Sequence, residues 1–330
     1  MKRLLLAGLL VALAVPAAGA LWWRNALQPA DARDVDVVFT VSPGTSLRRL
    51  GRDLEATGLV RNALAFEWLG RSREAASKLR AGEYLLRSSW SSEEILDHVV
   101  AGHVRTYEVV LPEGLTAAEM AVRIEEAGLA EAEAFLAVVH DPAAPERFGV
   151  EGPGLEGYLF PETYQLARGL SVEQVVGTLV EHYLEVWREI SPAAEARGLS
   201  MRETTILASI VERETGAVGE RPLIASVFQN RIALGMRLET DPTVIYGIPD
   251  FDGNLTRAHL DDAGNPYNTY QIPGLPPGPI ANPGAAALRA VVDPADAKYL
   301  YFVSRNDGTH VFSRSYREHV NAVNRYQRRR

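Results

Sequence analysis

The segment that decides the fold of this chain is TILASIVERETG, residues 205–216. At 3.6 residues per turn it predicts a short helix with one apolar stripe. The stripe consists of Ile206, Leu207, Ile210 and Val211. Glu214 falls on that same stripe, whereas Glu212 points to the other side of the helix, with Ala208 and Ser209. The pattern therefore predicts that a carboxyl group is held among apolar side chains.

Burial of a carboxyl group disfavours its charged form and raises its pKa, which makes a glutamate a proton donor near neutral pH. The negative end of the helix dipole, at the carboxyl end of the helix, acts in the same direction. We therefore take Glu214 as the candidate general acid and keep Glu212 as the alternative. A structural interpretation also stays open, in which Glu214 lies exposed in a fraying last turn and pairs with Arg213 or Arg221.

The composition restricts the classes of function. With 330 residues and 47% hydrophobic residues, the chain can bury a core and form about two domains. A net charge of −8 argues against a nucleic-acid surface, and the absence of cysteine excludes disulfides and thiolate ligands. The seven histidines show no paired ligand spacing. We therefore expect neither a catalytic metal nor a cofactor.

The first 24 residues predict a transmembrane anchor. Twenty uncharged residues, 4–23, follow Lys2 and Arg3, and at 1.5 Å per residue they match a bilayer core of about 30 Å. The two basic residues predict that the N-terminus lies inside the cytoplasmic membrane, with the bulk of the chain outside it. A cleaved signal peptide is the alternative, because Pro16 shortens the apolar run and residues 18–20 are small.

Two stretches after the anchor share a pattern of strand, turn and helix, which predicts an internal repeat. Matching residues lie seventy positions apart: Gly44, Ser46, Leu50, Leu54, Gly58 and Leu59 correspond to Gly114, Thr116, Met120, Ile124, Gly128 and Leu129. Ser46 and Thr116 are the predicted N-caps. A strand near residues 82–86 and a helix capped at Ser91 complete a small β-α-α-β unit, which resembles the LysM-like module that binds glycan in cell walls. A purely structural spacer is the alternative.

The remainder predicts a larger α+β domain with helices near residues 171–183, 205–214, 223–234 and 283–291, and a hairpin at 299–303 and 309–312. The predicted fold class is thus α+β throughout. The predicted division is a transmembrane anchor (1–24), a linker (25–36), the LysM-like module (37–104), the second strand-helix repeat with a linker (105–153) and a catalytic domain (154–330).

Polar and aromatic side chains in stiff loops follow the glutamate helix, as a fixed sugar-binding groove would require. The candidate substrate-binding residues are Glu212, Asn230, Arg231, Asp241, Tyr246, Asn268 and Tyr270. Each also has a structural interpretation, since Asp241-Pro242 is a good helix start and Tyr246 suits a core position.

Several motifs resemble those of the endolytic murein transglycosylase family, also called MltG or YceG-like. They are LASIVERET at 207–215, GMRL at 235–238, DPTVIYG at 241–247, YNTY at 267–270, GLPPGPI at 274–280 and LEGYLFPETY at 155–164. The resemblance covers nearly the whole chain, with the anchor and the LysM-like unit in the family's order. Other lytic transglycosylases carry their acid in a Glu-Ser-Gly context, similar to Glu214-Thr215-Gly216, which favours Glu214 over Glu212.

The resemblance implies cleavage of the MurNAc-GlcNAc bond within peptidoglycan glycan strands, leaving a 1,6-anhydro-MurNAc end and terminating nascent strands near the membrane. It also implies peptidoglycan synthases as partners. Glu214 would protonate the bridging oxygen and later accept the proton of the C6 hydroxyl. Two rivals stay open: a hydrolase with Glu214 as acid and Asp241 as base, and a non-catalytic wall-binding scaffold.

Overall fold

The structure is a computed structural model that describes residues 2–328, with side chains from residue 14 onward. The chain forms two compact units. The first comprises the residues up to Tyr107 together with Gln165–Leu170, and the second comprises Glu108–Tyr164 and the chain from Ser171 onward. Helices and two-stranded sheets occur together, so the described part of the chain is α+β, as the sequence predicts.

The first unit follows the order strand, two helices, strand, helix after a long N-terminal helix. Its elements are α1 (Lys2–Ala26), β1 (Asp36–Val41), α2 (Leu47–Ala56), α3 (Ala63–Ser72), a 3-10 turn (Ala75–Ser77), β2 (Gly82–Arg87), α4 (Ser92–Ala101) and the first residues of β3 (Thr106–Val110).

An antiparallel pair of strands forms the base of the first unit. Phe39 of β1 lies opposite Tyr84 of β2, and the alternate residues of each strand are buried, as the period of two in a strand requires. Leu50 and Phe66 bring α2 and α3 into the same core. The predicted strand and first helix are confirmed. The second helix of the β-α-α-β unit is α3, which we did not predict; the helix capped at Ser91 is α4 and follows β2.

The predicted anchor falls mostly on residues whose side chains the structure does not describe. These are residues 1–13, so the charges at Lys2 and Arg3 and the first part of the apolar run lie outside the described side chains. Within the described part of the chain, no helix has both the length and the apolar character needed to cross a membrane.

The second unit is mainly helical. Its elements are the rest of β3, α5 (Ala117–Glu126), α6 (Ala132–Val139), α7 (Ala144–Phe148), the first two residues of β4 (Thr163–Ala167), α8 (Val172–Ala196), α9 (Met201–Glu214), α10 (Arg221–Ala233), α11 (Asp241–Tyr246), α12 (Arg257–Asp261), α13 (Ala285–Val292), β5 (Tyr301–Ser304), β6 (His310–Ser313) and α14 (Tyr316–Tyr326). Strand β4 pairs with β3, and β5 pairs with β6.

The internal repeat has the same local structure in both copies. Helices α2 and α5 each span ten residues and begin after the predicted caps, Ser46 and Thr116. Thr116 and Glu119 form the predicted capping box, in which each side chain accepts a hydrogen bond from the other's backbone N–H. In both copies a second helix follows, α3 in one and α6 in the other. The predicted repeat is therefore confirmed at the level of its secondary structure.

Helix α9 lies at the centre of the second unit, packed by α8, α10, α11 and α13. Every residue from Thr204 to Val211 is buried, including Ala208 and Ser209. The side that carries Ala208 and Ser209 is therefore buried as well as the apolar stripe, because neighbouring helices cover both sides. The hairpin of β5 and β6 is confirmed, with Phe302 opposite Phe312, and α14 packs on it.

Candidate functional site

Glu214 is the last residue of α9, where the helix gives way to an extended Thr215. The start of α9 is fixed by a capping box, because Ser200 accepts from the Glu203 amide and Glu203 accepts from the Ser200 amide, at 3.1 and 2.9 Å. The run between the two ends, Thr204–Val211, is buried. The position of the Glu214 side chain is therefore set by a helix that the core holds along most of its length.

The Glu214 side chain is partly buried, and its Oε1 atom accepts a hydrogen bond from the Thr240 hydroxyl. Burial raises the pKa of Glu214 to about 7, the Thr240 bond opposes that rise, and the negative charge of Asp241 adds to it. A carboxyl group with a pKa near 7 is populated in both its acid and its base form at neutral pH. This is the property that the sequence predicts for the catalytic acid.

A cluster of buried threonines holds the Thr240 hydroxyl in place. The Thr240 amide donates to the Thr269 hydroxyl at 3.1 Å, and the Thr243 hydroxyl donates to the Thr240 carbonyl at 2.8 Å. The hydroxyls of Thr243 and Thr269 also lie 2.8 Å apart. Thr240 therefore presents its hydroxyl to Glu214 from a rigid loop.

Asp241 and Tyr270 stand beside this loop. Asp241 is the first residue of α11, and its Oδ1 atom accepts a hydrogen bond of 2.7 Å from the Tyr270 hydroxyl. Burial and the neighbouring Asp241 raise the pKa of Tyr270, so its hydroxyl stays protonated and remains a donor. The structure thus brings together three of the predicted site residues, namely Glu214, Asp241 and Tyr270.

Glu212 has a different environment. Its side chain is only 4% exposed, forms an ion pair with Arg221 and accepts a 3.0 Å hydrogen bond from the Gly284 amide. Arg221 also binds Glu113 at 3.0 Å. Burial raises the pKa of Glu212, while the Gly284 amide and Arg221 oppose the rise. Glu212 is therefore engaged in holding α9, α10 and the start of α13 together.

Arg231 and Asn230, on α10, both bind the loop before the hairpin. Arg231 donates to the Leu300 carbonyl at 2.7 Å and to the Leu238 carbonyl at 2.8 Å, and it pairs with Glu239 at 3.2 Å. The Asn230 amide donates to the carbonyls of Ala297 and Tyr299 at 2.8 and 3.0 Å. Both side chains therefore fix backbone segments, and Arg231 also lines a cleft beside Glu214.

Tyr246 and Asn268 do not line that cleft. The Tyr246 hydroxyl lies 3.3 Å from Glu156. Tyr246 and Glu156 line a separate small pocket of about 130 Å³. The Asn268 amide is fully buried and donates to the carbonyls of His259, Leu260 and Asp262. The sequence predicts substrate contact for Tyr246 and Asn268, and the structure instead gives each a bond inside the protein.

Glu214 lies where two clefts meet. One cleft of about 420 Å³ is bordered by Glu214, Asp241, Tyr270 and aromatic residues of the C-terminal hairpin and helix. The other, of about 380 Å³, is bordered by Glu214, Arg213, Arg221 and Glu113. Glu214 is the residue that lines both clefts. We call them the aromatic cleft and the charged cleft.

Sequence reasoning missed three features of this site. Thr240, next to the predicted Asp241, donates the hydrogen bond that Glu214 accepts. Asn282 is fully buried, and its amide joins the loop at Gly157 and Leu159 to Glu156. The rings of the C-terminal helix were not considered, although the Ser315 cap and the aromatic residue after it are visible in the sequence.

No group of three or more histidine, aspartate or glutamate side chains in the described part of the chain is arranged as metal ligands would be.

Comparisons with known proteins give consistent matches. The model of the YceG-like family matches residues 39–325. An endolytic murein transglycosylase of Bacillus subtilis is 27% identical, over 93% of this chain and 89% of that protein. An endolytic murein transglycosylase of Streptococcus pneumoniae is 29% identical over 85% of this chain, which spans 56% of that longer protein. A crystal structure of a YceG-like protein from Listeria monocytogenes superposes with a TM-score of 0.60 at 29% identity, covering 88% of this chain and 99% of that one. Because the family model covers most of its length, this chain belongs to the YceG-like family.

Proposed function

We propose that this protein is a lytic transglycosylase that cleaves the MurNAc-GlcNAc bond within peptidoglycan glycan strands and leaves 1,6-anhydro-MurNAc ends. The observation that carries the proposal is the position of Glu214, whose pKa is raised to about 7 and which lies where two clefts meet. The names of the Bacillus and Streptococcus relatives support the same activity.

The proposed reaction uses the Glu214 carboxyl group twice. In its protonated form it gives its proton to the bridging oxygen, the bond from that oxygen to the MurNAc anomeric carbon breaks, and positive charge develops on this carbon. The carboxylate that remains accepts the proton of the C6 hydroxyl of the same sugar while the C6 oxygen bonds to the anomeric carbon. The proton balance closes, because Glu214 is protonated again at the end.

The surroundings of Glu214 suit both halves of this reaction. Burial and the charge of Asp241 favour the acid form that begins it, and the hydroxyl of Thr240 stabilises the carboxylate formed midway. The negative charge of Asp241 also favours the positive charge of the transition state. Because these neighbours have opposing effects on the pKa of Glu214, a single carboxyl group can serve as acid and then as base.

A hydrolase that uses water is the second candidate, since Asp241 supplies a second carboxylate beside Glu214. Mass analysis of the digested strands separates the two activities, because an anhydro end is lighter than a reducing end by one water. Anhydro ends are the expected product. Reducing ends alone would contradict the lytic reaction and support the hydrolase.

Paired substitutions test the catalytic assignment and the scaffold alternative together. We expect Glu214→Gln to abolish cleavage while the protein remains folded, and Glu212→Gln to retain measurable cleavage per folded molecule. Circular dichroism and thermal unfolding provide the control for folding. Full cleavage by Glu214→Gln would contradict the proposed role, and unchanged cell-wall phenotypes with both variants would favour a non-catalytic scaffold.

We also propose the predicted organisation around this catalytic domain, with a membrane anchor at residues 1–24 and a LysM-like module at 37–104 that contacts glycan. The apolar run after Lys2 and Arg3 supports the anchor. The N-terminus would lie inside the cytoplasmic membrane, the catalytic domain outside it, and peptidoglycan synthases would be the partners there. Removal of residues 1–24 should release the protein from the membrane fraction. Continued membrane retention would contradict the anchor.

A further inference from the structure

A pile of adjoining side chains forms one wall of the aromatic cleft. The guanidinium carbon of Arg231 lies 5.0 Å from the centre of the Tyr301 ring. The Tyr301 ring stacks on His319, with centroids 5.2 Å apart and planes at 25°. The Tyr316 ring is not stacked: it meets Tyr301 edge-on, with centroids 5.9 Å apart and planes at 61°, and it lies 6.4 Å from His319 with planes at 40°. We call these four side chains the aromatic pile.

The pile is held at its base by polar bonds and by secondary structure. Arg231 is bound to two backbone carbonyls and to Glu239, and Tyr301 belongs to strand β5. Tyr316 is the first residue of α14, directly after the N-cap Ser315, whose capping box with Glu318 fixes the start of the helix. The position of the Tyr316 ring is therefore determined by the fold, although the ring itself is exposed.

The pile is also connected to the catalytic carboxyl group. Glu239, which pairs with Arg231, precedes Thr240, and the Thr240 hydroxyl binds Glu214. All four members of the pile line the same cleft as Glu214. A ligand that lies in this cleft therefore contacts the pile and the carboxyl group together.

Tyr316 has the exposure of a binding residue. The residue is 67% exposed, although it lines the cleft and its ring lies beside those of Tyr301 and His319. A large aromatic ring that is positioned in advance offers contact area at a low cost in conformational entropy. The C–H groups on one face of a pyranose ring are the complementary surface, and the sugar hydroxyls stay in contact with water or with the polar residues of the cleft.

We propose that Tyr316, supported by Tyr301 and His319, is a sugar-binding platform on which a pyranose ring of the glycan strand stacks, on one side of the bond that is cleaved. This inference rests on the proposed function, because it takes a glycan as the ligand of the cleft. It assigns to the aromatic cleft the binding of the apolar faces of sugar rings.

The experiment measures glycan binding by full-length protein that carries Glu214→Gln, so that the strand stays intact. Isothermal titration with peptide-free peptidoglycan glycan strands gives the dissociation constant for variants of Tyr316 in that background. Tyr316→Ala should weaken binding about tenfold, as expected for loss of an anchoring aromatic residue. Tyr316→Phe retains the ring and should stay within about twofold.

Leu234→Ala is the matched control, because Leu234 is 65% exposed in the same unit but does not line the cleft. It should leave the dissociation constant unchanged. Equal affinities for Tyr316→Ala and Leu234→Ala would overturn the platform. If Tyr316→Ala lowers the unfolding temperature, Tyr316→Gln repeats the test with a longer side chain that has no aromatic ring.

Kinetics of the otherwise native enzyme provide a second test. Tyr316→Ala should raise KM more than it lowers kcat, because the platform binds a sugar that does not react. A lower kcat at unchanged KM would overturn the inference. The proposed function is tested separately, and it is contradicted if the native protein produces no anhydro ends. In that case Tyr316→Ala would still weaken glycan binding if the platform is correct.

Discussion

The substitution Thr240→Val tests the balance that sets the acidity of Glu214. Valine has nearly the shape of threonine but lacks the hydroxyl, so the only expected loss at Glu214 is one hydrogen bond to Oε1. That bond favours the carboxylate over the protonated acid. Its removal should therefore raise the pKa of Glu214 above its present value of about 7.

The size of the shift follows from the strength of the bond. A hydrogen bond to a charged group contributes about 1.5–3 kcal/mol, and one pKa unit corresponds to about 1.4 kcal/mol. Because a hydroxyl can also bind the protonated acid, the lower end applies, and we expect an upward shift of about one unit. The carboxylate formed midway through the reaction is less stable by the same amount, so kcat should fall by about tenfold.

The assay is the pH profile of kcat/KM for release of anhydro ends from glycan strands. Since Glu214 must start protonated, activity should fall on the alkaline side, with a midpoint that reports its pKa in the free enzyme. Thr240→Val should move this midpoint upward. Asp241→Asn removes the negative charge that raises the pKa of Glu214 and should move it downward.

Thr243→Val is the control, because Thr243 belongs to the same threonine cluster but its hydroxyl contacts the Thr240 carbonyl and Thr269 instead of Glu214. We expect lower stability and an unchanged midpoint. If Thr240→Val and Asp241→Asn move the alkaline midpoint in the same direction, the opposing effects of these two residues on the pKa of Glu214 are refuted. A midpoint that neither substitution moves would refute them as well.

Three further predictions concern the stability of the second unit. Glu212→Gln leaves Arg221 without its buried carboxylate partner and should lower the free energy of unfolding by about 3 kcal/mol in a denaturant titration; an unchanged midpoint would contradict the role assigned to this ion pair. Asn282→Ala removes four hydrogen bonds, to Gly157, Leu159, Leu115 and Glu156, and should cost about 3–5 kcal/mol by the same measurement. Burial raises the pKa of Glu156 from 4.5 to about 7, so the folded state binds a proton that the unfolded chain has released. The resulting stability is present below pH 4.5 and is lost as the pH rises through about 7, by up to about 3 kcal/mol; this part of the pH dependence should be absent in Glu156→Gln.

Local rules predicted the helix starts well, because a cap depends on residues three positions apart. The capping boxes at Thr116 and Ser171 are both present. Helix α3 was missed, although Asn62 caps it, because its exposed Leu64 and Trp68 interrupt a simple apolar stripe. Burial of both sides of α9 also could not be predicted, since it depends on helices that are distant in the sequence.

The sequence near Glu214 predicts part of the candidate site, and the rest depends on residues that are distant in the sequence. The partial burial of Glu214 follows from its register on α9, which the sequence contains. The difference between Glu212 and Glu214 does not, because both carboxyl groups are buried and differ in their partners. Arg221 neutralises one, and a neutral threonine hydroxyl binds the other. Those partners come from α10 and from the loop before α11, whose positions depend on the whole fold.

The nature of the partner explains why only one of these glutamates is suited to transfer protons. A carboxylate paired with a buried arginine loses that ion pair on protonation, and Arg221 would then keep only the partly exposed Glu113 as its charged partner. Protonation of Glu214 leaves no such charge, since its bonded neighbour is neutral and its charged neighbour, Asp241, is of the same sign. Glu214 can therefore exchange its proton near neutral pH without leaving an arginine unpaired, whereas protonation of Glu212 breaks the ion pair that joins α9 to α10.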